Sequence, residues 1–187
     1  IQNYKSADYT IDSVSLNRLP DMKLTEIFFS PDTQFVLVSG SEGLYSINSD
    51  FKYENIEKPN IFIRKISINE DSVLNWGNPQ QKKHLHIDYE FNNIKFEFAS
   101  PFYIQEQENM YSYYLEGFDD EWSTWSLKTE KEYTNLKEGK YIFKVKVKNI
   151  YEQESTIAEY TFSIKPPWYR TILAYLFYIL CGFILIV

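Results

Sequence analysis

Between Leu85 and Ile164, apolar and polar residues alternate in stretch after stretch, and a period of two suits a strand that buries one face and little else. Leu85, Ile87, Tyr89 and Phe91 alternate with His84, His86, Asp88 and Glu90, and Ile94, Phe96 and Phe98 alternate with Lys95 and Glu97. Tyr111, Tyr113 and Leu115 share a face, as do Tyr141, Phe143, Val145 and Val147 opposite Lys144, Lys146 and Lys148, and finally Tyr160, Phe162 and Ile164. Breaks fall at Asn92-Asn93, Gly117-Phe118-Asp119-Asp120, Glu138-Gly139-Lys140 and Asn149-Ile150-Tyr151-Glu152. About seven short strands between Ile61 and Lys165 predict an all-β, antiparallel two-sheet sandwich of the immunoglobulin or fibronectin type III kind.

A sandwich needs bulky side chains, and the 187-residue chain supplies 14 Phe, 16 Tyr and 4 Trp within a 44% apolar content. That content excludes intrinsic disorder, and 6 Gly with 7 Pro exclude a linker or a collagen-like chain. A net charge of −7 with dispersed lysines offers no surface that tracks phosphates, so no direct nucleic-acid contact is expected. The single cysteine, Cys181, sits in an apolar run, which removes disulfide frameworks, Cys-rich zinc sites and iron–sulfur clusters.

From Ile172 to Val187 the sequence ILAYLFYILCGFILIV carries no charge. As a helix it would reach about 24 Å, and about 30 Å counted from Trp168, the thickness of a hydrocarbon core. Trp168, Tyr169 and Tyr175 stand where an interfacial aromatic belt would, and Arg170 is placed to snorkel to headgroups. Pro166-Pro167 stops a strand and suits a helix start. Residues 167–187 are therefore expected to form a transmembrane helix, cut short. The opening Ile1-Gln2-Asn3-Tyr4-Lys5 has neither a Met start nor a signal-peptide pattern, as in an excerpt of a longer polypeptide.

The N-terminal third has a different rhythm. Glu26-Ile27-Phe28-Phe29-Ser30, then Phe35-Val36-Leu37-Val38, a turn at Ser39-Gly40-Ser41-Glu42-Gly43, and Leu44-Tyr45-Ser46-Ile47 read as strand, turn, strand, turn, strand, in a stretch the size of one propeller blade. A single blade neither closes a ring nor covers its own faces, so residues 1–58 are expected to lie against missing repeats of the same chain or to lean on the sandwich. Lys58-Pro59-Asn60 marks the boundary, which assigns 59–166 to the sandwich.

The run YSYYLEGFDDEWSTWS at 111–126, then EYTNLKEGKYIFKVKVKN at 132–149 and IKPPWYRTILAYLFYIL at 164–180, resembles the triple-tyrosine (Y_Y_Y) domain of extracytoplasmic sensor regions in bacterial two-component regulators. Tyr111, Tyr113, Leu115, Glu116, Gly117, Phe118, Asp119 and Trp122 carry the first motif, and Tyr133, Asn135, Leu136, Gly139 and Tyr141 the second. The resemblance covers about 60 to 187, and Val38 to Tyr45 is similar to the closing blade that precedes such domains. It implies a periplasmic sandwich anchored in the inner membrane, linking a β-propeller to a helix that leads inward. It also implies a homodimer, an oligosaccharide ligand, and a cytoplasmic histidine kinase, hybrid kinase or helix-turn-helix regulator as output.

Independently of family, a tyrosine suits a site where a ring is buried while its hydroxyl holds a backbone group, and Tyr133, before Asn135-Leu136, is the expected tyrosine corner. Gly117 and Gly139 are expected to supply turn geometry. Asp119-Asp120-Glu121 reads as a solvated turn cap rather than a calcium site or a glycosidase pair, and His84 with His86 as a solvated strand face rather than a metal pair. No nucleophile elbow, P-loop or dinucleotide fingerprint occurs, so no catalytic residue, cofactor or metal is expected and the segment reads as non-enzymatic. Trp122 and Trp125 are the candidate ligand-binding residues, since exposed indoles stack on sugar faces; the competing reading makes them core and rim of the sandwich. Two functions follow: a membrane-proximal sensor module, or a membrane-tethered carbohydrate-binding sandwich accessory to a hydrolase.

Overall fold

A computed structural model describes residues 17–29, 34–48, 56–69, 72–76 and 85–186. The first three strands, β1 (Leu24–Phe29), β2 (Phe35–Gly40) and β3 (Gly43–Asn48), form an antiparallel meander in the order β1-β2-β3. Leu24, Ile27, Phe28, Phe29, Phe35 and Leu44 remain exposed on it, while Val38 is buried. Three strands fall short of the four of a propeller blade, and no ring is formed among the described residues.

Eight strands follow: β4 (Phe62–Ile68), β5 (Ser72–Trp76), β6 (Leu85–Ile87), β7 (Ile94–Ala99), β8 (Met110–Glu116), β9 (Glu130–Tyr133), β10 (Gly139–Lys148) and β11 (Ala158–Ile164). They make two four-stranded sheets, ordered β6-β11-β10-β8 and β5-β4-β7-β9. All pairings in these sheets are antiparallel except β6 with β11, which run parallel with Ile87 beside Ile164.

The alternation dictates what lies between the sheets. Phe96 of β7 stacks on Phe143 of β10 at 4.0 Å and 7° between ring planes, and both are fully buried. Tyr141 stacks on Phe162 at 5.3 Å, and Phe98 meets Tyr111 at 5.4 Å. Ile66, Ile94, Leu115, Val145 and Val147 fill the rest of this core. Aromatic burial on this scale supplies most of the drive for folding.

Two sequence expectations are corrected here. The stretch predicted as one strand from Leu85 to Phe91 is a strand only to Ile87, and Tyr89–Phe91 form a 3-10 turn. The ladder runs out because Lys165 N–H makes the last bond, to the Ile87 carbonyl at 2.8 Å, and Pro167, the next position facing β6, has no N–H to continue it. The helix expected from 167 onward is α1 (Ile172–Ile186), preceded by a 3-10 turn at Trp168–Arg170. Thr171 is extended at φ −80° and ψ 157°, and its hydroxyl accepts from Ala174 N–H at 3.4 Å as a cap, so the α-helix starts late. Fifteen residues reach about 22 Å. Among the described residues no helix is long and apolar enough to cross a membrane.

Candidate functional site

Tyr111, Tyr113 and Leu115 face the core from β8, and the strand ends in a turn closed on Leu115, whose carbonyl accepts from Phe118 N–H at 3.0 Å and Asp119 N–H at 2.9 Å. Gly117 permits this turn. Its φ is +95°, and a Cβ there would come within 3.0 Å of the Lys140 carbonyl oxygen. One carboxylate oxygen, Oδ2 of Asp119, then accepts from Leu115 N–H at 2.8 Å and from the Tyr133 hydroxyl at 2.8 Å. This oxygen ties the end of β8, in one sheet, to β9, in the other. Burial, followed by the bond to Asp119, raises the Tyr133 phenol far above its usual 10.0, so it remains a donor. Asp120 and Glu121 are exposed beside the turn, and among the described residues no group of three His, Cys, Asp or Glu side chains is placed to hold a metal ion.

The tyrosine corner belongs to Tyr141, not Tyr133. Near the start of β10 its hydroxyl donates to the Lys137 carbonyl at 2.9 Å, four residues upstream, as the corner requires. Tyr133 instead makes a side-chain bond across the sandwich. Gly139 opens β10 opposite Ile164 with φ +159°, and Asn135 adds a second positive φ, +56°, to the turn before it.

Trp122 and Trp125 lie on the outer face of β8 and β10, half-buried, and are not part of the core. Residues 122–126 run along the edge of β8, where Ser126 and Tyr111 exchange two backbone bonds at 2.7 and 3.0 Å. Trp122 stacks on Tyr114 at 5.7 Å with the Lys146 ammonium 5.2 Å from its centroid; Trp125 has Lys146 at 5.0 Å and Lys148 at 5.1 Å. Each indole thus already has a cation over its ring. Of the two histidines, His84 lies outside the described residues, and His86 Nδ1 is 2.8 Å from Ser163 Oγ.

The two ends of the sandwich hold different neighbours. At one end, Asn17 Nδ2 donates to the Ile150 carbonyl at 2.7 Å and Gln105 Nε2 to the Arg18 carbonyl at 3.1 Å. Phe102, Ile150 and Tyr151 form a small second core there, joined by Ile56 and Ile104. A cleft of about 610 Å³ opens between the two parts, lined from the N-terminal side by Leu19, Asp21 and Met22 and from the sandwich by Met110, Lys148 and Glu152. At the other end, Lys165 pairs with Asp88 at 2.9 Å and Arg170 with Glu138 at 2.8 Å, directly before α1. Arg170 stood out in the sequence only as a residue placed to snorkel to headgroups and Glu138 only as part of a turn, and neither ion pair was announced. The pairs span 77 and 32 residues, and no local period announces a contact of that range.

The family model of the Y_Y_Y domain matches residues 102–166. Among curated proteins, histidine kinase P4 of Formosa agariphila is 28% identical over 163 residues, which cover 82% of this chain and 12% of that relative's length. Among solved structures, the extracellular domain of a hybrid two component system from B. thetaiotaomicron superposes with a TM-score of 0.61 at 20% identity, over 75% of this chain and 20% of that one. The extracellular domain of a one component system from the same organism gives 0.51 at 24% identity, over 80% of this chain and 21% of that one. At these identities the structural likeness speaks for the fold.

Proposed function

We propose that this chain, whose residues 102–166 match the Y_Y_Y domain model, is the membrane-proximal, extracytoplasmic sensor module of a bacterial two-component signal-transduction protein. It relays ligand binding to a cytoplasmic output domain and has no catalytic role of its own. The observation that carries the reading is serial connection: the N-terminal segment is fastened to one end of the sandwich by Asn17 and Gln105, and the segment leading into α1 to the other by Asp88 and Glu138. A rigid body joined at both ends passes on a displacement. Relation to a histidine kinase over 163 residues agrees with such a place in a longer receptor.

In this reading the exposed apolar faces of β1 to β3 are covered by further repeats of a propeller in the same chain. The uncharged helix α1 lies in the inner membrane, with its outward-facing Ile172 and Leu173 against lipid and the sandwich in the periplasm. Two copies form a homodimer, and an oligosaccharide is the ligand class. A ligand drives such a relay only through unequal affinity for two arrangements of the parts. The carbohydrate-platform reading needs free indole faces, whereas Trp122 and Trp125 are engaged by Lys146 and Lys148.

The test is a flexible Gly-Ser insertion between Pro167 and Trp168 in the full-length protein. It is expected to abolish ligand-dependent output while leaving ligand binding and the melting of the sandwich unchanged. Ligand-dependent output that survives the insertion refutes the relay.

A further inference from the structure

The direction in which α1 leaves the sandwich is set by a short collar. The described side chains of α1 are exposed or half-exposed and its only polar contact beyond the cap, among the described residues, is the Tyr178 hydroxyl donating to the Tyr169 carbonyl at 3.5 Å, within the same segment. Among the described residues no other hydrogen bond or ion pair joins the helix to the sandwich. The collar does so through the two ion pairs, and these are not equivalent.

Lys165 is already held by backbone: it follows Ile164, paired with Ile87, and its own N–H reaches the Ile87 carbonyl. Losing Asp88 would leave that part of the chain in place. Arg170 stands beyond Pro166-Pro167, which have no N–H to offer, and its own N–H closes only the local turn to the Pro167 carbonyl at 2.9 Å. Its tie to the sandwich is the Glu138 carboxylate. Glu138 itself is a firm anchor, because it sits inside the corner that Tyr141 closes on the Lys137 carbonyl. The pair therefore joins a stiff corner to a one-turn segment two residues before α1. With side chains 51% and 31% exposed, it is a weak contact, and a weak contact can be opened by a modest difference in ligand affinity.

We propose that the Glu138–Arg170 ion pair is a releasable latch that fixes the resting orientation of α1 against the sandwich, and that its opening is the regulatory step of the sensor. The geometry stands by itself; the regulatory purpose rests on the sensor reading above. In the full-length protein in lipid vesicles, with Cys181→Ser, nitroxide labels replace Thr161 on β11 and Leu173 at the helix start, and pulsed electron resonance reads the distance between them. A single narrow distribution is expected without further change. Glu138→Gln and Arg170→Gln are each expected to widen it about twofold, Lys165→Gln to leave it narrow, and the charge swap Glu138→Arg with Arg170→Glu to restore it. Widths unchanged in the single variants overturn the latch, as does a swap as wide as the singles. The Gly-Ser insertion after Pro167 is the reference for output. Ligand-dependent output lost with the insertion while basal output is unmoved by Glu138→Gln overturns the latch alone, whereas ligand-dependent output that survives the insertion overturns the sensor reading.

Discussion

Replacing Asp119 with Ala removes one oxygen that two donors share, and the structure allows the loss to be apportioned. Leu115 N–H and the Tyr133 hydroxyl each lie 2.8 Å from Oδ2, and Tyr133 is 2% exposed, so water cannot take over from the carboxylate. A hydrogen bond to a charged group contributes about 1.5–3 kcal/mol, and a donor stranded in the interior costs about 1–3 kcal/mol. Asp119→Ala is therefore expected to destabilise the sandwich by about 3–5 kcal/mol. Tyr133→Phe gives up one of the two bonds and strands no polar group, since Asp119 keeps Leu115 N–H, so it is expected to cost about 1–2 kcal/mol. In the Tyr133→Phe background the phenol no longer needs an acceptor, and Asp119→Ala becomes cheaper by about 1.5–3 kcal/mol. Urea unfolding of the four proteins of this cycle, followed by tryptophan fluorescence, measures that coupling. A coupling below about 0.5 kcal/mol would refute the shared-oxygen clamp.

Other expectations test neighbouring features. Gly117→Ala places a Cβ 3.0 Å from the Lys140 carbonyl oxygen at φ +95°, so a loss above about 1 kcal/mol in the same unfolding assay is expected, exceeding that of an Ala at Asp120. Phe143→Ala empties the centre of the core, where Phe96 stacks on it, and should cost about 3–5 kcal/mol by chemical denaturation. Tyr141→Phe removes the corner bond to Lys137 and should cost about 1 kcal/mol, with strand pairing intact by amide exchange. Burial raises the phenols of Tyr111, Tyr133, Tyr141, Tyr151 and Tyr160 above the ordinary 10.0. In the unfolded chain these groups ionise first, so stability is full below about pH 10 and is lost as the pH rises beyond it. Tyr160→Phe should make that alkaline decline shallower, and a pH series of urea midpoints decides it.

Much of the sandwich was legible because a buried sheet face forces a period of two. Tyr141, Phe143, Val145 and Val147 announce the inner face of β10, and Lys144, Lys146 and Lys148 its outer face. What the period cannot say is where a ladder stops. Tyr89 and Phe91 keep the alternation of Leu85 and Ile87, yet they form a turn, because pairing ends where the neighbouring strand runs into Pro166-Pro167. The helix start was displaced for a related reason, since apolarity is continuous from Ile172 while the backbone before it is committed to the Pro-Pro turn. Tyr133 and Tyr141 both flank the same turn, and only the direction of each hydroxyl separates a corner from a cross-sheet clamp. Glu138 was legible only as part of a turn, and Asn17 and Gln105 carried no signal, because long-range polar contacts depend on topology and not on local pattern.

The parallel partnership of β6 with β11 also has a mechanical side. β11 is flanked on both sides, by β10 along seven residue pairs and by β6 along three, and it is the strand that continues toward α1. Tension applied along α1 loads both ladders crosswise, so that many bonds must rupture together instead of unzipping one at a time. The strand therefore behaves as a tether that carries a tug from the helix into the body of the sandwich without stretching.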